Sequence, residues 1–284
     1  MMKKWSLSLL FVLSLILFAG CTAMQSMPEE RALFAKNAPA EVQTPISTFS
    51  QEIAPGAVYW DLRYEKLFGH PQAISIIRID WSSGNWQTAL AFCGEKRRTV
   101  PDMAKSGQAE IAINGSFFAY SKVPRSTELL KINGKEHSPF VIRKGHGMIA
   151  FDRPGDFPRI AGDLSGKANA LQAHPLLLQN GEIVCQDTSK SRHPRSLIGV
   201  TPQREVIVAV VDGRNKANAG GVTLQEAAIL MQSLGCLDAL NLDGGGSSTL
   251  YTKTLGVVNH PSDNKKFDHA GARKVNDAIC FRRH

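Results

Sequence analysis

Several patterns that would assign a function quickly are missing from this sequence. There is no CxxC pair and no cysteine with close histidine partners, which argues against a zinc centre. The 33 basic residues outnumber the 25 acidic ones, for a formal charge of +8, but they form no long run, so nucleic-acid binding is not indicated. No internal repeat and no low-complexity tract is present. The one long apolar run, residues 9–18, is too short for a comfortable membrane span.

That run instead reads as a signal segment over residues 1–20, since Lys3 and Lys4 precede it and Ala19-Gly20-Cys21 follow. Small residues before a cysteine match a bacterial lipoprotein processing site, with Phe18 standing where leucine is more usual. Cys21 is therefore the expected lipidation site. Thr22, in place of the aspartate that retains lipoproteins at the inner membrane, points to an outer-membrane anchor facing the periplasm. Residues 21–55 hold four prolines and little periodic apolar content, which reads as a flexible tether. The remaining 56–284, about 230 residues, suit one large domain. Its moderate positive field suits an anionic envelope glycan. Cys93, Cys185, Cys236 and Cys280 allow two disulfides in three connectivities, or four free buried thiols.

The richest stretch is ALNLDGGGSST at 239–249: an apolar run stops at Asp243, three glycines follow (Gly244, Gly245, Gly246), then Ser247, Ser248 and Thr249. Consecutive glycines let backbone N–H groups line a concavity suited to anions. No lysine precedes the hydroxyls, so this is not a Walker phosphate loop. Two more apolar runs end the same way, EIAIN at Asn114-Gly115 and VIVAVVD at Asp212-Gly213-Arg214. Between the second and third lies an expected helix over 223–234, opened by Thr223 and Glu226 at capping-box spacing and closed by Gly235. If the strands flanking it run parallel, a right-handed crossover brings Asp212, Arg214 and Asp243 to one sheet edge.

Further strands are expected at 58–64, 74–81, 86–92, 147–151, 176–179 and 183–186, the last two joined by the hairpin signal Asn180-Gly181. The expected fold is α+β: a mixed β-sheet core with few helices, in a single domain.

Seven blocks then occur in order: NGSFF at 114–118, HPLLLQNG at 174–181, RSLIG at 195–199, VVDGR at 210–214, NLDGGGSST at 241–249, VVNHPSD at 257–263 and RKVNDAI at 273–279. In this the chain resembles the phosphodiester glycosidase family, from about residue 74 onward. Two departures stand out. Ser116 replaces a glycine usual in the first block, which would narrow the pocket or alter substrate choice, and Ala272 stands where an acidic residue usually precedes the last arginine block.

The resemblance implies hydrolysis of a sugar 1-phosphodiester. Phosphate is already a stable leaving group, so such a site needs cations to hold it and a carboxylate to act as nucleophile, base or stabiliser of an oxocarbenium-like transition state. Asp243 and Asp212 are the candidate catalytic carboxylates, and Arg195, Arg214 and Arg273 the candidate phosphate forks. Asn114 would bind a sugar hydroxyl or acetamido group. The three glycines with Ser247 and Ser248 would cradle phosphate, while Asn259 and Asp263 would line the site or form a turn. His193 and His260 are candidate acid–base groups. No organic cofactor is implied; oxygen ligands near Asp212 and Asp243 would suit calcium or magnesium, although no loop has EF-hand spacing. Ser262-Asp263-Asn264 matches the SDN element of penicillin-binding proteins, but the accompanying elements are out of order and share a serine, so the match is coincidence. The rival expectation is a non-catalytic lipoprotein that holds an anionic glycan in the same crevice.

Overall fold

The computed structural model describes residues 32–94, 96–119, 121 and 125–283. The signal segment and Cys21 lie outside the described residues. Residues 33–284 belong to one compact unit.

Its backbone is an eight-stranded sheet in the order Ser47–Ala54, Ala57–Leu67, His70–Asp80, Glu205–Val211, Arg195–Val200, Asp238–Asn241, Leu176–Gln179, Glu182–Ile183. A five-stranded sheet carries Ile111–Asn114 between Leu250–Thr252 and Asp277–Arg283, and a second five-stranded sheet is built around Gly147–Phe151 and Asn169–Ala173. Helix Leu224–Ser233 packs on the other face of the large sheet.

Alternate residues of each central strand explain this layering. Val206, Val208 and Val210 point to a core shared with Ile111, Ile113, Ile279 and Leu171, whereas Ile207, Ala209 and Val211 meet Ala227, Ala228 and Met231 of the helix. The VIVAVV run is continuously apolar because both of its faces are covered.

The same burial corrects one expectation. A mixed sheet was expected, but every ladder among the described residues is antiparallel; for example, Arg195–Val200 pairs antiparallel with both Glu205–Val211 and Asp238–Asn241. Double-sided burial, and not parallel pairing, produces the run. Glu205–Val211 and Asp238–Asn241 nevertheless point the same way, since one strand intervenes between them. The fold is also more strongly β than the α+β expectation, with few short helices.

A second correction concerns the start of the domain. Residues expected in the tether form a strand, Ser47–Ala54, paired along Ala57–Leu67, and Val42 is buried with its carbonyl accepting from Tyr64 Oη at 2.6 Å. Prolines at 39, 45 and 55 sit outside that strand and did not prevent it. The helix follows its expectation closely: Thr223 caps it in a complete capping box with Glu226, and Gly235 beyond its end has φ +81°. The hairpin at Asn180-Gly181 also forms, with both residues at positive φ. The four cysteines are free thiols, three of them buried.

Candidate active site

The Asp212 and Asp243 strands end at one edge of the large sheet, with the start of the Arg195 strand between them. Two strand spacings, about 10 Å, separate the strands that lead into the two aspartates.

Asp212 is 1% exposed and its carboxylate is saturated. Asn259 Nδ2 donates to Oδ1 at 3.0 Å, the His260 amide donates to both oxygens at 3.0 Å, and His260 Nδ1 lies 2.9 Å from Oδ2. The imidazole is stacked on Phe267 with centroids 3.9 Å apart and tilted against His269 at 4.4 Å. Asp212 thus fixes His260 instead of facing a substrate itself, which corrects its expected role as a carboxylate catalyst. Asn259 is likewise spent: fully buried, it also donates to the Ser248 carbonyl at 3.2 Å and accepts from the Leu250 amide at 2.8 Å. It ties turns together and lines nothing.

Asn114 receives the same correction. Fully buried, it donates from Nδ2 to the Asp243 carbonyl at 2.6 Å and accepts at Oδ1 from Ser196 Oγ and the Thr249 amide. A sugar group has no place there. The Asn-Gly ending is still informative, because Asn114 and the Gly115 carbonyl, which accepts from the Asp243 amide at 3.0 Å, clamp the Asp243 turn from the neighbouring sheet.

Asp243 differs from Asp212 in having a strained electrostatic setting. Burial, opposed by the Ser247 hydroxyl, Arg273 and the Gly244 amide but reinforced by Asp277, pushes its carboxyl up to about 6. Asp277, in the RKVNDAI block but without an assigned role from sequence, is fully buried and also raised by burial. It accepts from the Ser116 amide at 2.7 Å and Ser116 Oγ at 2.5 Å. Ser116 therefore turns inward to a carboxylate and does not narrow a pocket.

The glycines serve close approach. A Cβ on Gly244 would lie 2.7 Å from the Pro194 carbonyl, and one on Gly245 2.8 Å from Arg214 Nη2. On Gly246 it would collide with the Arg273 guanidinium and stand 2.8 Å from Asp263. Arg214 holds φ +62°, which swings its side chain over the turn. Arg273 is ion-paired with Asp263. Arg195 donates from Nε to the Val222 carbonyl at 3.3 Å, and burial lowers its guanidinium from the usual range. Three of the amides in the expected phosphate cradle are engaged locally, Gly245 with Pro194, Ser247 with Gly244 and Ser248 with Gly245. Arginine side chains thus carry most of the anion-binding capacity. The hydroxyls of Ser248 and Thr249 are buried without a partner.

A cleft of about 250 Å³ opens beside Arg214 and His260 and is walled by Asp263, Lys265, Lys266 and Phe267. His193 faces Arg195 and Arg214, and burial with those two charges lowers its ring from the usual histidine range. Among the described residues no group of three or more His, Cys, Asp or Glu side chains is placed to hold a metal.

Residues 107–282 match the family described as phosphodiester glycosidase. The chain belongs to that family. Other relatives agree: this phosphodiester glycosidase domain is 23% identical over 215 residues to N-acetylglucosamine-1-phosphodiester alpha-N-acetylglucosaminidase of Bos taurus, covering 66% of this chain and 40% of that protein. The human protein of the same name is 22% identical over the same length. The chain thus spans about two fifths of the curated relatives it matches. Among solved structures, the zebrafish N-acetylglucosamine-1-phosphodiester alpha-N-acetylglucosaminidase catalytic domain, auto-inhibited by its pro-peptide, shares the fold with a TM-score of 0.60 at 17% identity. The match covers 89% of this chain and 87% of that one. A hypothetical protein from Synechocystis gives 0.64 at 15% identity, covering 85% and 65%.

Proposed function

We propose that this phosphodiester glycosidase domain hydrolyses a sugar 1-phosphodiester of the cell envelope, within a surface glycan or phosphorylated polymer, while tethered to the outer membrane through Cys21. The observation that carries the catalytic part is Asp243: a partly buried carboxylate, raised to about 6, beside Arg273 and a glycine turn overlaid by Arg214. A carboxylate in that range is mostly ionised at neutral pH, and it faces positive charge as the anomeric carbon becomes oxocarbenium-like.

Arg195, Arg214 and Arg273 orient the phosphate through charge-assisted hydrogen bonds. Asp212 acts through His260, whose ring lines the cleft next to Arg214 and is poised to protonate a phosphate oxygen as the bond to the sugar breaks. The envelope location rests on the first 21 residues of sequence.

The deciding experiment incubates the chain with a panel of α- and β-linked sugar 1-phosphodiesters, with and without chelator, and measures free sugar. Release by the wild type and its loss in Asp243→Asn support the glycosidase. Glycan binding with no release from any diester would leave a binding lipoprotein instead.

A further inference from the structure

On the far side of Asp243 from the arginine strand lies a cluster that the reading above does not use. Leu176 pairs with Leu240 across the next strand, so the residues just before it stand level with the Asp243 turn. Asn241 reinforces this, donating from Nδ2 to the His174 carbonyl at 2.7 Å and from its amide to the Pro175 carbonyl at 3.1 Å. His174 is thus roughly one strand spacing, about 5 Å, from the Asp243 chain.

Its ring is held from two directions. Phe117 stacks on it with centroids 4.2 Å apart, and Nδ1 lies 2.7 Å from Oε1 of Glu128. Glu128 is fully buried, and its other close cation is Arg143, with Nε at 2.8 Å. Nδ1 itself is buried, whereas the His174 side chain is 35% exposed, so the exposed part of the ring lies away from Nδ1. A proton on Nδ1, the nitrogen nearest the carboxylate, would leave Nε2 free to accept one. Neither contact to Glu128 has the alignment of a formed hydrogen bond, which leaves a buried carboxylate beside two donors and unsatisfied. Contacts of that kind in a free enzyme tighten when substrate arrives.

We infer that His174, positioned by Glu128, is the general base that activates water for attack on the anomeric carbon. The inference rests on the glycosidase reading above. The strand order places Arg195 and Arg214 on one side of Asp243 and His174 on the other, so phosphate leaves on the first side as water enters from the second. A bond forms between the water oxygen and the anomeric carbon, and the carbon–oxygen bond to phosphate breaks with its electron pair going to the phosphate monoester. The water proton passes to Nε2, and Glu128 faces the resulting imidazolium. Direct attack from that side inverts the anomeric configuration.

The test uses the full chain and a diester that the wild type cleaves. His174→Ala is expected to lower kcat by about 10²- to 10⁴-fold. Azide, a nucleophile with no proton to lose, should restore turnover and yield a glycosyl azide. The isosteric Glu128→Gln, which keeps the packing, should lower kcat with KM nearly unchanged, and covers the case in which His174→Ala does not fold. The sugar released by the wild type should be the inverted anomer. A folded His174→Ala variant with wild-type kcat, no rescue by azide, or a retained anomer would overturn the assignment while leaving the glycosidase intact. A wild type silent on every diester would overturn both.

Discussion

The two Asp-Gly turns at one edge of the large sheet leave their aspartates in opposite conditions. Asp212 has both oxygens filled by Asn259 and His260. Asp243 sits among a neighbouring carboxylate, a hydroxyl and an arginine, and burial lifts its carboxyl to about 6. A buried charge that is fully hydrogen-bonded is an anchor, whereas one that is only partly compensated retains free energy to respond to a substrate. The comparison teaches that strand position locates a carboxylate and its hydrogen-bond inventory decides its work.

The sharpest way to break the comparison is Asp243→Asn. Turnover should fall by about 10²- to 10⁴-fold, measured as initial rates of sugar release. Stability should move the other way, because the variant removes a charge that burial penalises. The sign follows from the shift: a carboxyl raised from 3.8 to about 6 contributes stability that is complete below pH 3.8 and is lost as pH rises through 6. At pH 7 the wild type has lost it, so the variant should melt at a higher temperature. Activity needs the ionised form, so kcat/KM should decline as pH drops below about 6. If Asp243→Asn melts lower than the wild type at pH 7, the poised carboxylate is misread.

Asp212→Ala should show the reverse balance. It strands one side-chain N–H of Asn259 and the His260 backbone N–H, both buried, and each such donor costs about 1–3 kcal/mol. Denaturant unfolding should therefore register a loss of a few kcal/mol, on the order of the sum of those two penalties, and His260 should lose its fixed orientation. Normal stability in this variant would mean that water replaces the carboxylate and that the anchor is dispensable. A milder perturbation is Gly246→Ala, whose Cβ would force Arg273 and Asp263 aside. There KM should rise more than kcat falls, since the phosphate grip is disturbed and the carboxylate is not.

Much of this edge was legible before the coordinates. The capping box at Thr223 and Glu226 and the Asn180-Gly181 hairpin follow from patterns whose physics is local, whereas the shared edge of Asp212 and Asp243 was conditional on strand direction. Strand direction was not legible, because an apolar run records burial of two faces and says nothing about the direction of its neighbours. The strand Ser47–Ala54 escaped for a related reason: its burial pattern is largely exposed, so no alternation marked it. The roles of Asn114 and Asn259 depend on partners at separations of 129 and 47 residues, which no spacing rule reaches. Glu128 and His174 are likewise 46 positions apart in sequence and meet only through the sheet edge; a glutamate in an otherwise buried stretch was the one available signal.

The smallest expected effect tests the layer beneath Asp243. Ser116 stands where the resembling family usually has glycine, and its hydroxyl donates to Asp277, the buried carboxylate that helps raise Asp243. Ser116→Gly removes that donor but keeps the backbone amide that also serves Asp277. The loss should be about 1 kcal/mol in stability, the usual net worth of one hydrogen bond, with kcat nearly unchanged. A large drop in kcat with normal stability would instead place Asp277 in the chemistry, and the contrast between anchored and poised carboxylates would then need a third member.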